Sequence, residues 1–260
     1  MENKERSGYI FLNPALILPR MVKSRRGDTI KFIMILKTSL HFHAAEDEKI
    51  SLYGIYEAID YAEEKGFDVL AYTPHRKFLF KKEYAQYAAK REILFIPGME
   101  GEIKKRHFII LNCDKKAEEI KSFEDLKNYK IKNPQILVVA PHPFVFSARS
   151  LNGELLKHVD LFDAVEMSVF SNKMFNFNKK AEEVAKKYNK PFIATSDVHF
   201  LKDLERGYAL VEAETKTTES ILAAVKNGNF KNKMDAMSPF AMLKHQIKGG
   251  LNFISASLWR

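Results

Sequence analysis

Short apolar runs recur along the chain at 32–36, 68–72, 93–97, 107–112, 136–140, 164–168, 192–195 and 208–213, and helical periodicity fills most of the gaps between them. This alternation constrains the fold more than any other feature. Runs of this length without polar interruption read as strands buried on both faces. The intervening segments near 52–65, 81–90, 123–129, 151–158, 176–188 and 218–227 read as amphipathic helices. Gly66 and Gly228 mark expected helix stops, and Ser122 followed by Asp125 marks an expected start. Strand–helix alternation predicts an α/β chain with a parallel sheet or a barrel.

The 260 residues suffice for one large domain. Residues 1–33 are basic, broken by Pro14 and Pro19, and lack a sustained period. They are expected to be an N-terminal extension outside the core, and Met34 is a candidate native start. Residues 34–230 form the expected barrel. Residues 231–260, around Pro239 and the Gly249–Gly250 pair, are expected to be a tail or a docking helix. No apolar run reaches the roughly 18 residues that span a bilayer. No membrane role is expected.

The single cysteine, Cys113, excludes a disulfide framework and a thiolate zinc site, and fits a reducing cytoplasm. Any metal chemistry must then use histidine, aspartate and glutamate. The net charge of +9 favours anionic partners, although the lysines are spread over helix faces where a solvated surface accounts for them.

Six of the eight histidines touch the edge of an expected strand. His41 and His43 follow the first; residues i and i+2 of an extended chain point to one side. His75 follows the strand around DVLAY. Glu100 follows ILFIPG, and His107 opens the next strand. His142 lies in APHPF beyond ILVVA, and Asp197 and His199 repeat the i, i+2 spacing after PFIATS. Each feature alone has an ordinary explanation as a surface, turn or strand residue. Together they gather metal-ligating side chains at strand ends, which open on one face in an α/β barrel. Imidazole with carboxylate suits zinc, manganese or iron. His158 and His245 are expected on the surface, and Phe32, Phe42, Phe108, Phe144 and Phe146 in core packing rather than base stacking.

The ordered set SLHFH, TPH, PGMEGE, RHFIILN, APHPF and TSDVH, over roughly residues 33–230, resembles the PHP (polymerase and histidinol phosphatase) family of metal-dependent phosphoesterases. The resemblance implies a distorted seven-stranded (βα) barrel, TIM-like and of PHP type. It implies that His41, His43, His75, Glu100, His107, His142, Asp197 and His199 ligate two or three divalent ions (manganese, zinc or iron). A ninth ligand is expected in AEDEK, with Asp47 preferred over Glu48. His41, His43, Glu100, His142, Asp197 and His199 are the expected catalytic set, acting through a metal-bound hydroxide. Arg149 and Arg76 are the preferred phosphate clamps, among nearby Lys77, Arg106 and Lys202.

Three positions depart from the family pattern. Ser39 and Pro74 stand where aspartates are usual, and Thr195 where glycine is common. The first is expected to lose a hydrogen bond that orients an imidazole. The expected substrate is a small phosphorylated metabolite or a nucleotide. The alternatives are a nuclease acting on short oligonucleotides and a non-catalytic RNA-binding subunit. Oligomeric state is not legible.

Overall fold

The computed structural model describes residues 20–23, 30–48, 51, 53–172, 174, 176–240 and 242. Expectations that fall on 1–19 and 243–260, His245 among them, lie outside the described residues. In chain order the elements are β1 (Arg20–Lys23), β2 (Ile30–Phe42), α1 (Ala45–Glu48), α2 (Ile55–Glu64), β3 (Val69–Tyr72), α3 (Lys82–Ala89), β4 (Leu94–Ile103), β5 (Arg106–Leu111), α4 (Phe123–Lys132), β6 (Leu137–Ala140), α5 (Gly153–Lys157), β7 (Ala164–Ser168), α6 (Phe177–Lys187), β8 (Phe192–Thr195), β9 (Gly207–Ala213), α7 (Thr218–Lys226) and β10 (Phe230–Met234). No helix among the described residues is long and apolar enough to cross a membrane.

The strands form one curved sheet in the order β10-β9-β2-β3-β4-β5-β6-β7-β8, with β1 against β2. Alternate residues go to different cores, as the period of two requires. Val69 and Ala71 of β3 join a cluster with Leu36, Ile96, Ile109, Val139, Ala164, Ile193 and Val211, drawn from β2 and β4 to β9. Leu70 and Tyr72 instead pack with α2 and α3. One cluster fed by eight strands requires a sheet bent round on itself. Asn232 of β10 draws the ends together: its side chain accepts from Ala194 N–H at 2.9 Å and donates to the Phe192 carbonyl at 2.8 Å, both on β8.

The sheet is mixed rather than a run of seven equal units. β2, β3, β4, β6, β7 and β8 share one direction, whereas β5 and β9 run against it. The local cause for β5 is a tight turn. Ile103 pairs with Arg106, leaving Lys104 and Lys105 as the two-residue connection, both at positive φ (50° and 64°). Two such residues give the turn whose twist suits a hairpin. No helical crossover separates β4 from β5. The expected core also begins late: β2 starts at Ile30 and pairs with β1, and β10 carries the sheet to Met234.

The expected helix signals hold. Ser122 Oγ accepts from Asp125 N–H at 3.1 Å at the start of α4. Gly66 and Gly228, just past α2 and α7, have φ of 67° and 71°, which costs glycine least. Phe42, Phe108 and Phe144 are buried as expected, but Phe32 and Phe146 are 55% and 88% exposed. Phe146 lies in the turn-rich loop after β6, where none of the described residues covers it.

Gly207 opens β9 where it presses on β8. A Cβ there would stand 2.4 Å from the Thr195 carbonyl oxygen, a backbone atom that cannot swing aside. Gly207→Ala is expected to lower stability by about 1–3 kcal/mol, the usual range for overpacking. Urea unfolding of the two proteins measures it.

Candidate metal centre

Backbone pairing carries the candidate ligands past the strand ends in register. Phe42 bridges Val198 in parallel, His43 N–H donates to the Val198 carbonyl at 3.1 Å, and Val198 N–H donates to that of His41. The His-x-His and Asp-x-His segments therefore lie side by side. His75 bridges Glu100 in the same way: Glu100 N–H donates to the Pro74 carbonyl at 3.0 Å, and Arg76 N–H to the Glu100 carbonyl at 2.8 Å. Glu100 lies within β4 rather than beyond it, because the strand continues through Pro97 and Gly98. Ser196 fixes the last motif through Oγ, which accepts from Gly207 N–H at 2.8 Å. Asp197 and His142 have φ of 48° and 29°, a left-handed conformation that costs a non-glycine residue roughly 1–3 kcal/mol.

These constraints bring His41, His43, His75, Glu100, His107, His142, Asp197 and His199 together. Glu100 is buried at the centre. Its Oε1 lies 2.7 Å from His107 Nδ1, 3.2 Å from His142 Nε2 and 3.7 Å from His41 Nε2. Its Oε2 lies 3.0 Å from His75 Nε2 and 3.6 Å from His43 Nε2. Asp197 Oδ1 lies 3.4 Å from His41 Nε2, 3.3 Å from His43 Nε2 and 3.4 Å from His199 Nδ1, yet it is buried without a hydrogen bond. His41 Nε2 and His43 Nε2 face each other at 3.1 Å.

Ring nitrogens and carboxylate oxygens that converge this closely are a donor set for cations, so these residues fit divalent metal. Three sets each bring one ligand atom per residue within 4.8 Å of the others: His43, His75 and His199; His41, His43 and Glu100; His75, Glu100 and His107.

The opposite ring nitrogens are held from outside. Asp47 Oδ2 takes His43 Nδ1 at 3.0 Å and His75 Nδ1 at 2.6 Å, and its Oδ1 accepts from His75 N–H at 2.9 Å. Asp47, expected as the ninth ligand, thus reaches the cluster by the outer nitrogens of two imidazoles. The side chain of its alternative, Glu48, lies outside the described residues. Glu166 of β7 holds His41 Nδ1 at 2.9 Å with one oxygen and accepts from His142 N–H at 3.0 Å with the other. Ser39 Oγ is buried without a hydrogen-bond partner among the described residues. The sequence reading missed Glu166. Its only signal is a lone carboxylate in the apolar strand AVEMS, fully buried here.

Of the expected clamps, the Arg149 guanidinium lies 3.2 Å from His107 Nε2. Arg106 donates instead to the carbonyls of Ala148 and Ser150, both at 2.8 Å, and so pins the loop that carries Arg149. Arg76, Lys77 and Lys202 are exposed. His158 is partly exposed, as expected of a surface residue, and stacks on Phe123 with ring centroids 3.9 Å apart. Cys113 is buried, which pushes its thiol up to about 12.

Burial and charge oppose each other throughout the cluster. Burial pushes Glu100 up, but His107, His41 and His75 bring it well below the usual carboxylate range. Burial also opposes protonation of His41, which Asp197, Glu100 and Glu166 overcome, raising it well above its ordinary value. His75 is pulled against burial to about 10 by Glu100 and Asp47. Burial wins at His199, which falls to about 3.

The PHP-associated family model (PHP_C) matches residues 175–230. No curated protein sequence matches the chain. Among solved structures, a two-domain protein of Bacteroides vulgatus containing a predicted PHP-like metal-dependent phosphoesterase superposes with a TM-score of 0.62 at 17% identity, over 84% of this chain and 70% of that one. PsfC from Pseudomonas syringae also gives 0.62, at 15% identity over 83% and 98%. An amidohydrolase from Chromobacterium violaceum, solved with sulfate and no metal, gives 0.51 at 16% identity over 81% and 96%. The fold shared with these structures is a nearly closed, mixed α/β barrel, and in this chain it gathers imidazoles and carboxylates on one face. The family likeness is confined to the PHP-associated match over residues 175–230, and the likeness to the PHP-like structure is one of fold.

Two predictions follow from this geometry. Without metal, His75, pulled to about 10, carries a proton at neutral pH, and the carboxylates around His41 favour its protonated form too. Ligation requires them neutral, so binding must release protons and strengthen as pH rises. The apparent affinity for Mn²⁺ or Zn²⁺ is expected to fall about tenfold or more per unit of pH below 7. Calorimetry in buffers of different ionisation enthalpy counts the protons; no release would contradict it. Glu166→Gln should weaken metal binding by about 10–100-fold, because one amide cannot accept from both His41 and His142. Competition with a chromogenic chelator reads this without any turnover.

Proposed function

We propose that this protein is a metal-dependent phosphoesterase that hydrolyses small phosphate monoesters at a cluster of two or three divalent ions. The supporting observation is Glu100, one buried carboxylate contacted by five imidazoles, with the orphaned Asp197 Oδ1 beside it. His41, His43, His75, Glu100, His107, His142, Asp197 and His199 would hold the ions, and Glu100, with each oxygen facing different imidazoles, would span two of them. The donor set suits manganese, zinc or iron better than magnesium or calcium. Bound there, such ions supply an activated water at neutral pH and neutralise the phosphoryl oxygens, the chief obstacle for a dianionic ester.

The chain's own groups do the positioning. Glu166 and Asp47 hold the outer nitrogens of His41, His43 and His75, so that Nε2 of each faces inward. Arg149 has five N–H donors in a planar fork, of which the contact with His107 uses one. The others are free to take two phosphoryl oxygens side by side. Arg76, brought to the rim by its backbone bond to Glu100, is the second clamp. A ligand set this complete argues against a purely RNA-binding role, which would leave no reason to keep a buried cluster costly to assemble.

Glu100→Gln and His142→Ala should each reduce phosphomonoesterase turnover at least about 100-fold and lower bound metal together with it. A screen of sugar phosphates, nucleotides and short oligonucleotides, with manganese, zinc and iron each added, tests the reading alongside elemental analysis. Metal-free protein with tight RNA binding and no turnover would overturn it.

A further inference from the structure

The loop after β6, which carries His142, lines a cavity of about 430 Å³ with Phe144, Val145, Phe146, Ser147, Ala148 and Asn152, and Phe177 of α6 completes it. Its size falls in the range of small-molecule sites. The loop is stapled rather than slack. Arg106 holds the carbonyls of Ala148 and Ser150, Ser150 Oγ donates to the Val145 carbonyl at 2.7 Å, and Asn152 N–H donates to that of Pro143 at 2.8 Å. It is also continuous with the metal cluster. It carries His142 itself, two residues before Phe144, and the Arg149 carbonyl accepts from His107 N–H at 2.9 Å.

Three phenylalanines line this cavity, and one of them, Phe146, leaves 88% of its surface to solvent. A lone exposed phenylalanine would mean little, but three phenyl rings along one cavity form the kind of contiguous apolar surface that marks a binding site. Lys180 stands over the Phe144 ring, its Nζ 4.6 Å from the centroid, and brings positive charge to the same wall.

We propose that this cavity is the subsite for the leaving group of the ester, and that it selects a single planar aromatic ring, whether aryl or nucleobase. The proposal rests on the phosphoesterase reading for its location, because the phosphoryl group at His142 and Arg149 directs the rest of the substrate along this loop. An aliphatic polyol gains little against phenyl faces. A planar ring gains dispersion and stacking, and Lys180 meets its electron-rich carbonyl, ring nitrogen or face. The volume suits one nucleoside and not a strand, which favours mononucleotides or aryl phosphates over oligonucleotides.

The test has two arms. In the first, kcat/KM is measured for AMP, phenyl phosphate and glycerol phosphate with the metal-loaded wild type, Phe146→Ala and Phe146→Tyr. The ratio of aromatic to aliphatic ester should fall about tenfold in Phe146→Ala and be kept in Phe146→Tyr, as expected for the loss of one stacking face. AMP against phenyl phosphate tells nucleobase from simple aryl. In the second arm, NMR line broadening of adenosine and of phenol is followed with metal-free protein. Broadening that Phe146→Ala abolishes supports the subsite even if no ester is turned over, a result that would sink the phosphoesterase reading alone. An unchanged ratio with no adenosine or phenol bound overturns the subsite. So does an unchanged ratio with a melting temperature several degrees lower in Phe146→Ala, since another part of this chain would then fill the cavity.

Discussion

A carboxylate buried among imidazoles is the constraint around which the rest of this molecule is arranged. Removing Glu100 from water costs several kcal/mol unless opposite charge or a cation meets it. Every strand that approaches it contributes a compensating group: His41 from β2, His43 just beyond it, His75 beyond β3, His107 from β5 and His142 beyond β6. The arrangement works only if the rings present one nitrogen inward, so their outer nitrogens need restraint. Asp47 provides it for His43 and His75, Glu166 for His41 and Arg149 for His107. The cluster is thus two concentric layers of charge, and the outer layer decides whether the inner one is usable.

The barrel explains why this charge can be assembled at all. Its apolar cluster, with residues from eight strands, holds the strand ends in register to within the reach of a hydrogen bond. Pairing that continues past the regular strands, between His43 and Val198 and between Glu100 and Pro74, transmits that register to the ligands. Close approach of β9 to β8 at Gly207, locked by Ser196, sets the position of Asp197. Backbone strain at Asp197 and His142 falls at the cluster itself, where the surrounding pairing can sustain it.

Much of this was legible beforehand because it depends on short-range pattern. Period-two burial made the strands visible as continuous apolar runs, and i, i+2 spacing placed His41 with His43 and Asp197 with His199 on common faces. The β4–β5 hairpin was less visible, since Lys104–Lys105 lacks the Asn-Gly signature of such turns. Phe146 misled because its neighbour Phe144 is buried while Phe146, on the same cavity wall, stays 88% exposed; exposure is set by what lies opposite, which sequence does not state.

By itself the sequence determined which residue types could serve a metal, that they stood at strand ends, and that the strands were buried on both faces. These follow from local periodicity and from the chemistry of single side chains. Only the tertiary structure decided which nitrogen of each imidazole faces inward, that Asp47 holds two rings from outside, that Glu166 reaches His41 Nδ1 from β7, and that Phe146 stands open on the loop after β6. Each of these depends on groups from distant segments meeting within about 3 Å, the length of a hydrogen bond. That distance is fixed by packing and register across the whole barrel and by nothing local to any one residue.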